Sequence, residues 1–425
     1  MISKVPSFFA FSLPKAGSTL LDQVLKDISS EAGISYFAPT NDLFRLGKNI
    51  NFADFDVEIL YRSEGYCFSG FREFPHFLSR YRLSGRKALL LLRDPRDILT
   101  SLYFSTAITH SPPGQGSVAQ AEFLKQRKQA LEISIDDFVM SRVLTIEALL
   151  DRYIQNLPEM DVRIYRYEDI IFRKHEWLRD IVDFIGIAIS QEAIARIAAR
   201  HDQQPPIERP DQHVRQVQPG DHRRKLHARG REFLEANLSP RWKLLGYPFE
   251  RARADVFLPR EILRRMPDPR EGWSVTARVI DNARVRQIEP AFLRRTADCV
   301  IDPSRGAEFL GLWLEDENGA ACRKIQAGAH YTIACILHVE GHLGKLSLGV
   351  RIADAAKNGI AGINTRLLPL KTGSWPAGTL VEIRWKTKAP ARAGDYLFSC
   401  GCALESEPGV FAARHLDGYM GCVSG

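Results

Sequence analysis

The chain has 425 residues, of which 45% are hydrophobic and 26% charged, and its formal net charge is +7. That length exceeds one ordinary hydrophobic core and predicts two or three domains; the composition excludes disorder, collagen and a continuous coiled coil as whole-chain structures. The positive balance favours anionic ligands without choosing among phosphates, sulfated glycans and nucleic acid.

The opening residues, MISKVPSFFAFSLPK, run a short apolar stretch straight into Pro14-Lys15 with no cleavage pattern behind it. They predict a first strand over SFFAFSL (7–13), not a targeting signal. A helix is expected from Ser18 to about Ile28 and a second strand over YCFSGF (66–71). KALLLLR (87–93) is the third strand, its unbroken apolar run predicting burial on both faces. The SPPGQG stretch (111–116), within residues 104–134, reads as irregular, either a loop that shapes the acceptor cleft or mobile surface. Helical periodicity covers 137–156, a fourth strand 161–169, and two further helices 175–187 and 191–200. Residues 203–231 are polar and rich in Pro, Arg and His, and no regular structure is expected there.

This alternation predicts an α/β domain over 1–250. Pro259, Pro267 and Pro269 mark residues 251–272 as a linker. Beyond it, short β-like runs recur: WSVTARVI, GAEFLGLWLE, HYTIACILHV, KLSLGVRI, TLVEIRWKT and DYLFSCGCAL. They predict an antiparallel β-sandwich over 273–425. No apolar run is long enough for a transmembrane helix. The seven cysteines are sparse and lack paired spacing, which suggests a reducing, cytoplasmic setting. Cys400 and Cys402 share a strand face and are expected to be core residues; no metal site is expected. Trp313, Trp375, Trp385 and Tyr419 are the aromatics a sugar site would use, but core packing is the simpler role and none is assigned.

Two motifs carry chemistry. In LPKAGSTL (13–20) a strand ends, a turn follows and a helix opens. Gly17 lets the backbone approach an anion, Ser18 and Thr19 add hydroxyl donors at the helix N-terminus, and Lys15 supplies a point charge. The spacing is not that of a Walker A loop. In LLLLRDPRDILTSLYFS (89–105), Arg93 closes a strand and Ser101 lies two helical turns on, so both can meet one phosphate. Each motif alone has a plain reading, as a turn with a chance lysine and as a helix-capping Asp-Arg cluster.

Together, PKAGST and RDPRD with the serine after it resemble the sulfotransferases that use 3′-phosphoadenosine 5′-phosphosulfate. The resemblance implies a P-loop-like parallel sheet over about residues 5–247. It implies that Lys15, Ala16, Gly17, Ser18 and Thr19 hold the 5′-phosphosulfate and that Arg93 and Ser101 hold the 3′-phosphate. RYEDI (166–170) is similar to the family's strand-end Tyr-Glu-Asp and puts Tyr167 near the adenine. HVRQVQPGDHRRKL (213–226) is similar to its late phosphate-closing loop, which implicates Arg215; here His222 replaces a tryptophan, and Leu20 stands where an adenine-stacking tryptophan is common. No metal is implied.

Sulfuryl transfer needs a base for the acceptor proton and stabilisation of charge on the leaving oxygens. Lys15 suits the second task. For the first, the family places a histidine two residues before a proline, and its glycan-modifying members commonly use a glutamate; Glu73 holds that position before Pro75. An ion pair of Glu73 with Arg72 or Lys15 is the alternative, and His76 is the rival base. Arg72 is expected to touch the sulfuryl group or the acceptor. The basic residues between His213 and Arg231 lack the aromatic interleaving of a nucleic-acid site, so nucleic acid is not an expected partner.

Residues 270–425 resemble the carbohydrate-binding domain at the C-terminus of bacterial O-antigen ABC-transporter ATPases, on GIAGINTRLLPL (359–370) and the two strands after it. The combined expectation is a carbohydrate sulfotransferase acting on a glycan or polysaccharide. The alternatives are a glycan-binding protein on a non-catalytic scaffold and a nucleotide kinase, the latter disfavoured by the missing Walker A lysine.

Overall fold

The computed structural model describes residues 5–46, 62–75, 78, 83–202, 216–248, 253–288, 306–341, 343–355, 359–365, 367–368, 370, 375–404 and 411–424. The chain divides into two compact units, Met1–Pro267 and Asp268–Gly425.

The first unit is built on a six-stranded sheet of order β2-β3-β1-β4-β5-β6. Its strands are β1 (Phe8–Ser12), β2 (Ser35–Phe37), β3 (Tyr66–Phe71), β4 (Lys87–Leu92), β5 (Asp161–Arg166) and β6 (Phe257–Pro259). The first five run parallel and β6 closes the edge antiparallel to β5. Strand side chains alternate between faces, and both faces are covered. Phe9, Phe11, Leu90 and Ile164 pack into one cluster with Leu150 and Tyr153 of helix α6 (Val143–Asn156). Phe8, Ala10, Leu89 and Tyr165 pack into the other, with helices α1 (Ser18–Glu31), α8 (Lys174–Ile185) and α9 (Gln191–Arg200). Leu21, Val24, Leu25 and Ile28 form the apolar stripe of α1, at the spacing one buried helix face requires.

Several expectations change. The stretch 137–156 is two helices, α5 (Ile135–Ser141) and α6, and the region after the second motif holds a helix, α4 (Val118–Leu131). Tyr167, Glu168 and Asp169 lie not on a strand but on the short helix α7 (Tyr167–Ile170). Within the polar stretch, α10 (Asp221–Lys225) and α11 (Ala228–Asn237) are helical. The expected linker is partly structural: Leu258 is buried in the first core and β6 completes the sheet. The physical reason is that Phe257 and Leu258 are apolar and cover an otherwise open edge beside Ile164 and Tyr165.

The strands of the second unit are β7 (Ser274–Ile280), β8 (Ala307–Glu315), β9 (Ala321–Cys322), β10 (Lys324–Gln326), β11 (His330–Val339), β12 (Leu346–Asp354), β13 (Gly359–Asn364), β14 (Thr379–Lys388), β15 (Gly394–Leu404) and β16 (Phe411–Ser424). They form a β-sandwich of two five-stranded sheets, β10-β16-β15-β12-β13 and β7-β14-β11-β8-β9. Their pairings are antiparallel except that of β10 (Lys324–Gln326) with β16 (Phe411–Ser424). One core joins both sheets: Leu314, Ile333 and Leu337 from one meet Leu348, Ile352 and Phe398 from the other. Cys400 and Cys402 are buried there, as are Trp385 and, under the opposite face, Trp313. Trp375 packs partly buried against the core, and the Tyr419 side chain lies outside the described residues. Pairing also sets Glu308 of β8 (Ala307–Glu315) opposite His338 of β11 (His330–Val339). With Glu340 they bring three potential ligand atoms within 4.8 Å of one another, a juxtaposition the sequence spacing did not show. Among the described residues, no helix is long and apolar enough to cross a membrane.

Candidate active site

The site sits at the carboxyl ends of the parallel strands, where an open α/β sheet places its ligands. Strand β1 ends in the loop 13–17, whose backbone is left-handed at Lys15 (φ 62°) and Gly17 (φ 95°). Gly17 is required twice over. A side chain is strained at that φ, and a Cβ there would lie 2.9 Å from the Tyr167 ring. The turn ends in the first N–H groups of α1, which begins at Ser18. Ala16 takes another role: its side chain is buried in the core and its N–H donates to the Leu13 carbonyl at 3.2 Å. It therefore offers a ligand neither group.

Arg93 follows β4 and is almost wholly buried. Its Nη1 donates to the Lys15 carbonyl at 3.3 Å and its Nη2 to Asp97 Oδ2 at 3.4 Å. The guanidinium lies 4.5 Å from the Tyr167 ring centroid. Its Nε is buried without a hydrogen-bond partner, and so is Nε2 of Gln216. Buried donors left without acceptors are costly in a folded protein, and here both belong to residues lining one cavity.

That cavity, of about 200 Å³, is lined by Lys15, Gly17, Ser18, Thr19, Arg93, Ser101 and Tyr167, which sequence reasoning had assigned to one ligand from three separate motifs. Leu20, Ile171 and Val217 line it too and cluster with Tyr167 into an apolar wall. Of this wall the sequence singled out only the position of Leu20; Ile171 and Val217 are ordinary aliphatics on two other segments and carry no local signal. Arg215 and His76 lie outside the described residues.

Buried acids fix the frame. Asp94 caps helix α3 (Pro95–Phe104), accepting from the Arg96 N–H at 3.0 Å, and grips the Arg96 guanidinium at 3.0 and 2.7 Å. Asp97 accepts from the Gly220 N–H at 2.7 Å, the His222 N–H at 3.0 Å and His222 Nδ1 at 2.7 Å, so the second motif holds the late loop directly. Burial alone would raise the Asp97 carboxyl; hydrogen bonds from His222 and the charge of Arg93 outweigh it and hold it well below the usual carboxylate range. Tyr167 donates to the Val217 carbonyl at 2.9 Å, and burial pushes its hydroxyl up to about 12. Glu168 accepts from the Asp94 N–H at 2.7 Å and the Tyr247 hydroxyl at 3.0 Å; burial pushes it up to about 7.

A larger cleft of about 1380 Å³ shares Lys15, Ser18 and Thr19 with the first cavity and continues past Asp22, Tyr36 and Arg72 to Ser111–Gln115, which favours the cleft reading of the SPPGQG stretch. Lys15 Nζ donates to Ser105 Oγ at 3.1 Å at the junction. Glu73 is not among the residues lining this cleft, and its carboxylate pairs with Arg152. The ion-pair alternative for Glu73 thus has a partner in Arg152, which α6 brings to the strand-end loop and which the sequence did not single out. Arg72 pairs instead with Asp22, at 2.5 Å.

These features define a small cavity lined by Lys15, two hydroxyl residues and a buried arginine, and a broad cleft that shares part of its lining. Residues 73–243 match the sulfotransferase domain. Residues 302–416 match the Wzt C-terminal domain, so the chain carries a sulfotransferase domain followed by a Wzt C-terminal domain. Among solved structures, a mouse sulfotransferase complexed with PAP is similar at 15% identity, over 55% of this chain and 82% of that one, with a TM-score of 0.36. The C-terminal domain of wzt is similar at 16% identity, over 33% and 88%, with a TM-score of 0.27. A Niemann-Pick type C2 protein from the Japanese carpenter ant is similar at 6% identity, over 28% and 93%, with a TM-score of 0.20. No curated protein matches the sequence.

Proposed function

We propose that this protein transfers a sulfuryl group from 3′-phosphoadenosine 5′-phosphosulfate to a hydroxyl of a glycan, a bacterial polysaccharide by the likeness of its second unit. The observation that carries the reading is the pair of unpartnered buried donors, Arg93 Nε and Gln216 Nε2, in a cavity floored by a left-handed anion loop. A phosphate-bearing ligand satisfies both. Arg93 and Ser101 are the 3′-phosphate contacts, with Arg215 a further one from the sequence resemblance. Lys15, Gly17, Ser18 and Thr19 hold the phosphosulfate. The apolar wall of Leu20, Ile171 and Val217 takes the adenine beside Tyr167.

In this reading the acceptor enters the larger cleft, its hydroxyl attacks sulfur in line, and the nucleotide phosphate leaves with the bonding electrons. Lys15 lies where the two spaces join and stabilises charge on the leaving oxygen. Glu73 takes the acceptor proton once Arg152 yields it, and Arg72 faces the group in transfer. The second unit tethers a polymeric acceptor and raises its local concentration. The sparse cysteines suit a cytoplasmic setting.

The test is calorimetric binding of 3′-phosphoadenosine 5′-phosphate. Wild type should bind, and Arg93→Ala should weaken binding by roughly tenfold or more, as loss of a charge-assisted contact implies. Equal binding by both proteins would remove Arg93 from the site. No binding by folded wild type would favour a glycan-binding protein on a non-catalytic scaffold.

A further inference from the structure

Asp22 has no part in the motifs above, yet three donors from three segments converge on its carboxylate. Ser69 Oγ, from β3, donates at 2.8 Å. Asn41 Nδ2, from helix α2 (Pro39–Arg45), donates at 3.2 Å. Arg72 Nη2 donates at 2.5 Å. The Asp22 side chain keeps only 12% of its exposure, whereas that of Arg72 keeps 26%.

The arrangement follows from the fold. Ser18 and Asp22 are four apart on α1, so they share a face, and that face borders the cleft. Strands β1 and β3 are parallel neighbours, so Arg72 beyond β3 and Lys15 beyond β1 emerge at the same sheet edge. Arg72, Asp22, Lys15 and Ser18 all line the larger cleft. Among the described residues Arg72 makes its one hydrogen bond to Asp22, and the remaining N–H groups of its rigid fork are left for the cleft. A partly exposed ion pair contributes little to stability. A carboxylate whose lone pairs are mostly filled by three donors is better suited to orienting a partner than to taking a proton. Fixing a long side chain before the ligand arrives is what a supporting residue does in an anion site.

We infer that Asp22 is a positioning residue that holds Arg72 toward the sulfuryl group of the donor; the inference rests on the sulfotransferase reading above. It makes a demand that a structural ion pair would not. Arg72 distinguishes the nucleotide bearing the sulfuryl group from the one that has lost it, and Asp22 is needed for that distinction.

The experiment is calorimetry on the full chain, without acceptor, using 3′-phosphoadenosine 5′-phosphosulfate and 3′-phosphoadenosine 5′-phosphate. Wild type should prefer the sulfated nucleotide by about tenfold or more, the scale of one charge-assisted contact. Asp22→Asn, Asp22→Ala and Arg72→Ala should each lose most of that preference. The double variant Asp22→Ala with Arg72→Ala should lose no more than Arg72→Ala alone, since the two act through one contact. Binding of the desulfated nucleotide should stay near wild type in all of them, which also reports that they are folded. Asp22 variants that keep the wild-type preference, or that weaken both nucleotides equally, would overturn the inference and leave the cavity's assignment standing. Wild type that binds neither nucleotide would overturn that assignment and this inference with it.

Discussion

Asp97→Asn is the sharpest perturbation of the site's frame, because one carboxylate there serves both sides of the cavity. Oδ1 accepts from the N–H and Nδ1 of His222, while Oδ2 accepts from the Gly220 N–H and Arg93 Nη2. The amide keeps one acceptor oxygen and turns an NH₂ group toward two donors, whichever way it flips. Two charge-assisted hydrogen bonds are lost, each worth about 1.5–3 kcal/mol, and buried Arg93 loses its counter-charge. Removing one partner from a buried pair costs about 3–5 kcal/mol, and the two routes to the figure agree. Part of the loss should appear as unfolding free energy of the first unit, followed by chemical denaturation. The rest should appear as nucleotide affinity, since Gly220 and His222 anchor the segment that carries Gln216 and Val217; a fall of about a hundredfold corresponds to roughly 3 kcal/mol. The sign with pH follows from the depressed carboxyl. Its stabilisation is present above the unfolded-state value, about 3.9, and is lost as pH falls through the lower native value. The gap between wild type and variant should therefore be flat from about pH 5 upward. A variant within about 0.5 kcal/mol of wild type, with unchanged nucleotide binding, would refute the reasoning.

Three further outcomes are expected. Glu168 carries the opposite sign: its native value is raised to about 7, so the native state binds the extra proton and stability should fall as pH rises from about 4.5 to 7. Glu168→Gln keeps an acceptor for the Asp94 N–H and should flatten that decline, by up to roughly 3 kcal/mol, in denaturation curves taken across the window. Glu73→Gln should lower turnover by about 10²–10⁴ with nucleotide binding retained, the usual contribution of a general base; unchanged turnover would assign the Glu73–Arg152 pair to structure alone. Deleting 268–425 should raise KM for a polymeric acceptor far more than it weakens nucleotide binding, and an unchanged KM would dispose of the tethering role.

Much of the fold is legible in the sequence. Lys87–Leu92 reads as a strand buried on both faces because nothing polar interrupts it, and it pairs on both sides with β1 and β5. The anion loop was readable because a lysine, a glycine and two hydroxyl residues sit where a strand gives way to a helix. Arg93 and Ser101 were readable because eight residues across a strand end and a helix leave them converging. The six expected strands of the second unit all form, since alternating apolar residues between turn formers admit few other structures.

Other features had no local signature. Tyr167 reads as the end of a strand because Arg163, Tyr165 and Tyr167 alternate, yet the chain turns helical there so that Glu168 can reach the Asp94 N–H. The edge strand Phe257–Pro259 looks like linker because prolines surround it, and only an unpaired β5 edge gives it a partner. The partner of Glu73 could not be chosen from sequence, because Arg152 is brought to it by the packing of α6 under the sheet. Asp22 was invisible for the same reason. Sequence alone determined the two-domain order and the glycine turn that leads from β1 into α1, since those depend on periodicity and on backbone chemistry at one turn. Tertiary structure decided which acids hold which bases and which faces meet in one cavity, because those pairings join residues far apart in the chain through contacts that no local pattern encodes.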